Sequence, residues 1–205
     1  IDFVKKEIII IGAGGHAKSC IDIINQDKAY SIKGIIGLES ELGLNILDYD
    51  IIGEEKDLEK LFLTCKNAFI AIGQIKTAKK RKKLYDYLYA IGFKLPAIIS
   101  PRSYVSSNSK IGQGSIIMHG ATVNAGASIG NNCIINTNAI IEHDAVIQNH
   151  CHISTGSIIN GASTIGEGTF IGSGTIVNNN INIGKESLIG SSKNIYKDLE
   201  DFTKI

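Results

Sequence analysis

The segment Ile141-Glu142-His143-Asp144 sets an imidazole between two carboxylates. Carboxylates beside a histidine orient the ring and favour its protonated form. That setting suits a general base that takes a proton from an amine or hydroxyl as it attacks an electrophile. The same residues also occur on plain surfaces, with the Asp serving a tight turn, so the spacing alone leaves both readings open. A second candidate is Gly12-Ala13-Gly14-Gly15-His16. A glycine-rich turn between a strand and a helix exposes backbone N–H groups at the positive end of the helix dipole, where a phosphate binds well. A dinucleotide fingerprint would add a third spaced glycine and a downstream acid for the ribose, and neither is evident. The turn therefore reads either as a phosphate contact or as a structural junction. The cysteines Cys20, Cys65, Cys133 and Cys151 form no CxxC pair and no zinc-ligand pattern. They read as reduced thiols of a cytoplasmic protein.

These candidates need elements to position them. Up to about residue 95 the chain alternates strand and helix patterns. Glu7–Ile11 is a short β-branched run, followed by a helix with Cys20, Ile21, Ile23 and Ile24 on or near one face. Strands are expected at 32–36 and 68–72. Helices are expected at 55–66 and at 76–91, the latter with Leu84, Tyr87, Leu88 and Ile91 inward. Such alternation implies a parallel sheet covered by helices. The basic run Lys79–Lys83 reads as a solvated helix face.

After Pro96 the period becomes six. Every sixth residue from Val105 to Ile195 is Ile or Val. Four residues after the aliphatic, in the units from Ile111 to Ile171, stands a small residue, among them Ala121, Cys133, Ala139, Cys151 and Ser157. Three residues after it stands a type that tolerates positive φ, such as Gly126, Asn138, Asp144, His150 or Asn180, with Ala162 and Glu186 as exceptions. Each unit is a short strand plus a corner, and three units make one triangular coil of about 18 residues. Aliphatics then stack inside a prism whose strands pair with the coils above and below. Cys133 and Cys151 fall one coil apart at the small inward position, as stacked core residues. Gly161 falls one coil after His143, where a missing side chain leaves room for a ligand to approach the backbone and its N–H could stabilise a developing oxyanion. His152 lies half a coil from His143 and should project from the opposite side of the prism.

The pattern resembles the hexapeptide-repeat acyltransferases. More narrowly, IIIIGAGGHAKSCIDII near the start and INTNAIIEHDAVIQNHCHISTG in the repeat resemble the sialic-acid O-acetyltransferase and UDP-4-amino-sugar N-acetyltransferase family. The resemblance implies a mixed fold: an N-terminal α/β Rossmann-like, sugar-nucleotide-binding domain over 1–95 and a left-handed parallel β-helix acyltransferase domain over 96–205. It implies acetyl-CoA as co-substrate, no metal, and direct attack in a ternary complex. His143 aligns with the family's base and Asp144 with the acid that polarises it, Glu142 lying alongside. Gly12, Gly14, Gly15, His16 and Asn136 become substrate-binding residues, and His152 and Gly161 coenzyme-binding ones. The family forms homotrimers with active sites between adjacent prisms. The implied reaction is N-acetylation of a UDP-linked 4-amino-deoxysugar for surface-glycan or glycoprotein synthesis. Its rivals are O-acetylation of a sialic-acid-like sugar and a non-catalytic sugar-nucleotide scaffold. A NAD-dependent enzyme is disfavoured by the missing fingerprint. Two departures stand out. Gly34-Ile35-Ile36-Gly37-Leu38 lacks the acidic pair that relatives carry after the second strand. The segment Asp201–Ile205 lacks their Gly-x-Pro-Ala ending, as a truncated chain would.

A formal net charge of +1 favours no nucleic-acid partner, and no apolar run approaches the length of a membrane span.

Overall fold

The computed structural model describes residues 5–205. It divides into two compact units. One runs up to Gly73 and includes Lys83–Pro96; the other comprises Gln74–Lys82 and Ala97–Ile205.

The first unit is an α/β sandwich. Its strands are β1 (Lys6–Ile11), β2 (Tyr30–Gly37), β3 (Asn45–Ile46), β4 (Tyr49–Glu54) and β5 (Ala68–Ile70), in the order β3-β4-β2-β1-β5. All neighbouring pairs are parallel except β3 with β4. β1 is central, so Ile8 to Ile11 are all buried. Helix α1 (Gly15–Gln26) turns Ala17, Cys20, Ile21, Ile23 and Ile24 into the core. The helix expected at 55–66 is shorter. Glu55–Asp57 forms a 3₁₀ turn and α2 spans only Leu58–Phe62. It stops there because Thr64 donates to the Leu61 carbonyl and Lys66 to the Phe62 carbonyl, closing the last turn. Helix α3 (Lys79–Ile91), which belongs to this unit from Lys83 onward, starts late, with the Thr77 hydroxyl accepting from the Lys79 N–H, and buries Tyr85 rather than Tyr87. The β3–β4 hairpin escaped the periodicity reading. Within β4 only Ile51 and Gly53 are buried, and Ile52 faces out, so its alternation is too brief to read.

The second unit is a left-handed parallel β-helix. Two-residue strands stack with an 18-residue repeat, as in Val123↔Ile141 and Ile141↔Ile159. They form three sheets with one inward aliphatic column each. The corners from Gly114 to Ser192 have positive φ, including the chemically unmarked Ala162 (57°), Glu186 (52°) and Ser192 (57°). The small inward residues do more than fill space. Ser157 Oγ donates to the Gly172 carbonyl at 2.8 Å, and Thr169 Oγ1 donates to the Gly184 carbonyl at 2.8 Å while accepting from the Ser187 N–H at 3.0 Å. Each such hydroxyl satisfies buried backbone groups at a corner, where an open group would cost about 1–3 kcal/mol. Cys133 and Cys151 occupy the same position fully buried, and burial holds the Cys151 thiol well above its ordinary pKa, which removes it from nucleophilic chemistry. After Ile195 the repeat shortens: Leu199 bridges Ile183 and Lys204 bridges Leu188. Residues to Ile205 thus continue the ladders, with Gly190 N–H donating to the Ile205 carbonyl at 2.7 Å.

Among the described residues no helix is long and apolar enough to cross a membrane, and no cluster of three or more metal-ligating side chains occurs.

Candidate active site

His143 sits two residues past the inward Ile141, and Asp144 is the corner residue itself at φ 60°. This geometry turns both side chains outward. The imidazole Nδ1 lies 3.0 Å from Asp144 Oδ2, with both groups mostly exposed. A carboxylate accepts, so it holds the Nδ1–H tautomer and leaves Nε2 with its lone pair facing out. Gly161 lies beneath the ring. A Cβ there would stand 2.6 Å from His143 Cε1 and 2.7 Å from Nε2. The space over Gly161 is thus filled by the imidazole, and the glycine lets the ring lie flat. Among the described residues the Gly161 N–H donates no hydrogen bond, while its carbonyl accepts from Asn180. Among the described residues the Glu142 carboxylate makes no hydrogen bond to His143. Its Oε2 accepts from Asn124 Nδ2 at 2.9 Å, one coil earlier.

His152 and Asn136, sixteen residues apart, meet: Asn136 Nδ2 lies 3.0 Å from His152 Nε2. His152 Nδ1 lies 2.6 Å from the Gln74 carbonyl. The ring stands edge-on to Phe170 at 5.2 Å. The outward-projecting side chain expected from the sequence is only 6% exposed, because the 74–82 segment covers this face. Burial first, and then the nearby Arg81 cation, push its pKa down to about 4, with the Gln74 carbonyl pulling the other way. His152 is therefore neutral. It still borders a groove of about 710 Å3, walled by Ile75, Ser154, Phe170 and Leu188 with Lys204 at the rim.

The basic run needs correction. Lys79, Lys80 and Lys83 are exposed, but Arg81 is 1% exposed and donates to the Asn132 carbonyl at 2.9 Å and to Asn132 Oδ1 at 2.8 Å. Lys82 pairs with Glu167, which lowers that carboxyl below its ordinary value. Sequence reasoning missed Arg81 and Gln74. One signal for the first existed: an arginine amid lysines, the type suited to buried multidentate contacts.

In the first unit, Gly12 (φ 114°) ends β1 where a Cβ would strike Ile72 at 2.7 Å and Ala71 at 3.2 Å. Gly14 and Gly15 face open space. Gly14 caps α1 with no side-chain hydrogen bond, and the first turn holds no acid, so the helix end is open to an anion. His16, half-buried, packs beside Gly73. Glu41, also missed, brings its carboxylate over Gly37 at the end of β2, close to Ala13. No sequence period marks it, since a 3₁₀ turn (Glu39–Glu41) carries it there.

Comparison with known proteins fits this geometry. The family model of the PglD N-terminal domain matches residues 7–88. Comparison with curated protein sequences finds no match. Among solved structures, PerB from Caulobacter crescentus, in complex with CoA and GDP-perosamine, is similar with a TM-score of 0.89 and 29% identity, covering 98% of this chain and 94% of that one. The acetyltransferase domain of PglB from Neisseria gonorrhoeae is similar with a TM-score of 0.87 and 30% identity, covering 95% of this chain and 93% of that one. WeeI from Acinetobacter baumannii shares the fold, with a TM-score of 0.75 and 20% identity over 96% of this chain and 94% of that one. The likeness thus spans both the α/β unit and the β-helix, and the chain belongs to the hexapeptide-repeat, left-handed β-helix acyltransferases as an acetyl-CoA-dependent sugar acetyltransferase.

Proposed function

We propose that this enzyme N-acetylates the amino group of a 4-amino-deoxysugar carried on a nucleoside diphosphate, UDP by the sequence reading, for surface-glycan or glycoprotein assembly. The observation that carries the reading is the exposed His143 imidazole, tautomer-locked by Asp144 at 3.0 Å. His143 Nε2 removes a proton from the sugar amine as the nitrogen attacks the thioester carbonyl of acetyl-CoA. Collapse forms the amide and breaks the C–S bond, and the imidazolium returns its proton to the departing CoA sulfur. Asp144 stabilises the imidazolium, and Glu142 adds negative charge nearby without a hydrogen bond to the ring. The Gly161 N–H, which donates to no described acceptor, would receive the thioester oxygen as it gains charge. Two structures of the Caulobacter enzyme with CoA and GDP-perosamine carry a replaced histidine, which supports a histidine-centred mechanism.

The α/β unit is the sugar-nucleotide domain, with Gly12, Gly14, Gly15 and His16 at the phosphates, and the β-helix the acyl-transfer domain. The apolar groove beside His152 takes the coenzyme arm, and Asn136 faces the acceptor. One outer column of the prism, Tyr104, Thr122, Ile140, Ile158 and Ile176, is apolar at all but Thr122, with Tyr104 60% and Ile176 37% exposed. A second and a third copy cover it in a homotrimer whose sites lie between prisms.

The test is CoA release from acetyl-CoA with a UDP-4-amino-sugar, a GDP-4-amino-sugar or a free sialic-type sugar, for wild type and His143→Ala. Release with an amino-sugar nucleotide, reduced at least about 100-fold in the variant, is expected. Release with the free sugar alone would move the reading to O-acetylation. Binding without turnover would make the protein a scaffold.

A further inference from the structure

Gln74 and Arg81 lie outside every motif that the acyl-transfer reading uses, yet both are buried against the β-helix, at 3% and 1% exposure. Gln74 Nε2 donates to the Gly168 carbonyl at 3.2 Å, while its Oε1 is buried with no hydrogen-bond partner among the described residues. Burying an unpaired acceptor is unfavourable, and the amide is only half satisfied by its bond to Gly168. What the residue does supply is its backbone carbonyl, 2.6 Å from His152 Nδ1. A carbonyl only accepts, so the ring proton is on Nδ1 and Nε2 bears the lone pair. That lone pair accepts Asn136 Nδ2–H at 3.0 Å, which orients the amide so that Asn136 Oδ1 accepts from the Thr137 N–H at 2.7 Å. The opposite tautomer would face N–H against N–H at Asn136. The amide would have to rotate and surrender the Thr137 bond.

We propose that Gln74 and Arg81 are positioning residues for acyl transfer: by anchoring the 74–82 segment they fix His152 as its Nδ1–H tautomer and, through it, the orientation of the Asn136 amide. An amide held this way has one N–H and one acceptor lone pair committed. It presents its second N–H, in a fixed direction, to an oxygen of the reacting partners. Arg81 anchors the far end of the segment on Asn132 with two hydrogen bonds, and Gln74 anchors the near end on Gly168. This role rests on the acetyltransferase reading, but the tautomer lock is a property of the protein without substrate.

The experiment uses the full chain and reads two quantities. The first is the ¹⁵N chemical shift pattern of the His152 ring, which separates Nδ1–H from Nε2–H. The second is kcat and KM for acetyl-CoA and sugar nucleotide, for wild type, Gln74→Ala, Arg81→Ala and Arg81→Lys. Wild type should show Nδ1–H alone. Gln74→Ala and Arg81→Ala should show mixed tautomers and a kcat lower by roughly ten- to a hundredfold with smaller changes in KM, as expected when a group moves by about an ångström. Arg81→Lys should recover part of both. A wild-type ring protonated on Nε2 overturns the proposal even if no variant folds. So does an unchanged tautomer with unchanged kcat in folded Gln74→Ala, or a fall in kcat with the tautomer intact. Absence of turnover in wild type with every acceptor would instead count against the acetyltransferase reading and leave the tautomer result to be judged alone.

Discussion

Two imidazoles nine residues apart in the sequence have opposite surroundings. His143 stands in solvent on a corner, held by one carboxylate and resting on a glycine. His152 lies on a strand beneath the 74–82 segment, with a backbone carbonyl on one nitrogen and an amide on the other. In both the ring carries its proton on Nδ1. At His143 this leaves Nε2 open to a substrate, whereas at His152 the same atom is already occupied by Asn136. One ring is arranged to exchange a proton and the other to avoid it. The difference comes from what covers each ring, a neighbouring carboxylate and a glycine for His143 and the 74–82 segment for His152, not from the residue type.

The largest effect separating the two should come from Gly161→Ala. The added methyl would enter the volume of the His143 ring, at 2.6–2.7 Å from Cε1 and Nε2. The ring is exposed and free to swing away, so the fold should lose little, and the thermal midpoint should stay within a few degrees of wild type. Nε2 would leave its place, and kcat should fall by roughly a hundredfold. A normal kcat with the methyl present would show that the ring position over Gly161 is not the reactive one.

The second test turns on protonation. In the folded protein His152 stays neutral down to about pH 4, against an ordinary value of 6.5. Between those values the unfolded chain binds a proton that the folded chain refuses. Stability contributed by the neutral ring is therefore complete above pH 6.5 and drains as pH falls toward 4, by about 3 kcal/mol in total. His152→Gln keeps hydrogen-bonding capacity and removes the titration. Its unfolding free energy should fall less than that of wild type between pH 7 and pH 4.5. Equal losses in both proteins would place the acid sensitivity elsewhere.

These contrasts also mark how far the sequence could be read. The six-residue period was legible because each inward position admits only an aliphatic, and the corners because Gly, Asn and Asp accept positive φ. Adjacent His143 and Asp144 were readable as a pair, and coil arithmetic placed Gly161 under the ring. The same arithmetic set His152 half a coil away but could not show that it is covered. Its partner Gln74 is 78 residues distant, and the Arg81–Asn132 contact spans 51. Such contacts depend on where the 74–82 segment runs, which no periodicity encodes. The final coil was also out of reach, because the step from Ile183 to Leu199 is 16 residues rather than 18. Glu41 was missed for a related reason: a 3₁₀ turn, not a strand register, brings its carboxylate to Gly37.

Ala162 is the place where corner type and corner shape disagree. Its φ is 57°, and its equivalents one coil away, Asp144 and Asn180, are residues that tolerate that region. An alanine there is strained by about 1–2 kcal/mol, while a glycine would loosen the unfolded chain by about 0.4–1 kcal/mol. Ala162→Gly should therefore stabilise the fold by only about 0.5 kcal/mol, read as a small rise in thermal midpoint. Its N–H already bonds the His143 carbonyl at 3.0 Å, and glycine keeps that bond. If the strain is incidental, kcat stays at the wild-type level. A lower kcat in a stabler protein would mean that the alanine stiffens the backbone under His143, placing the corner's rigidity, and not only its hydrogen bond, among the features that hold the exposed ring.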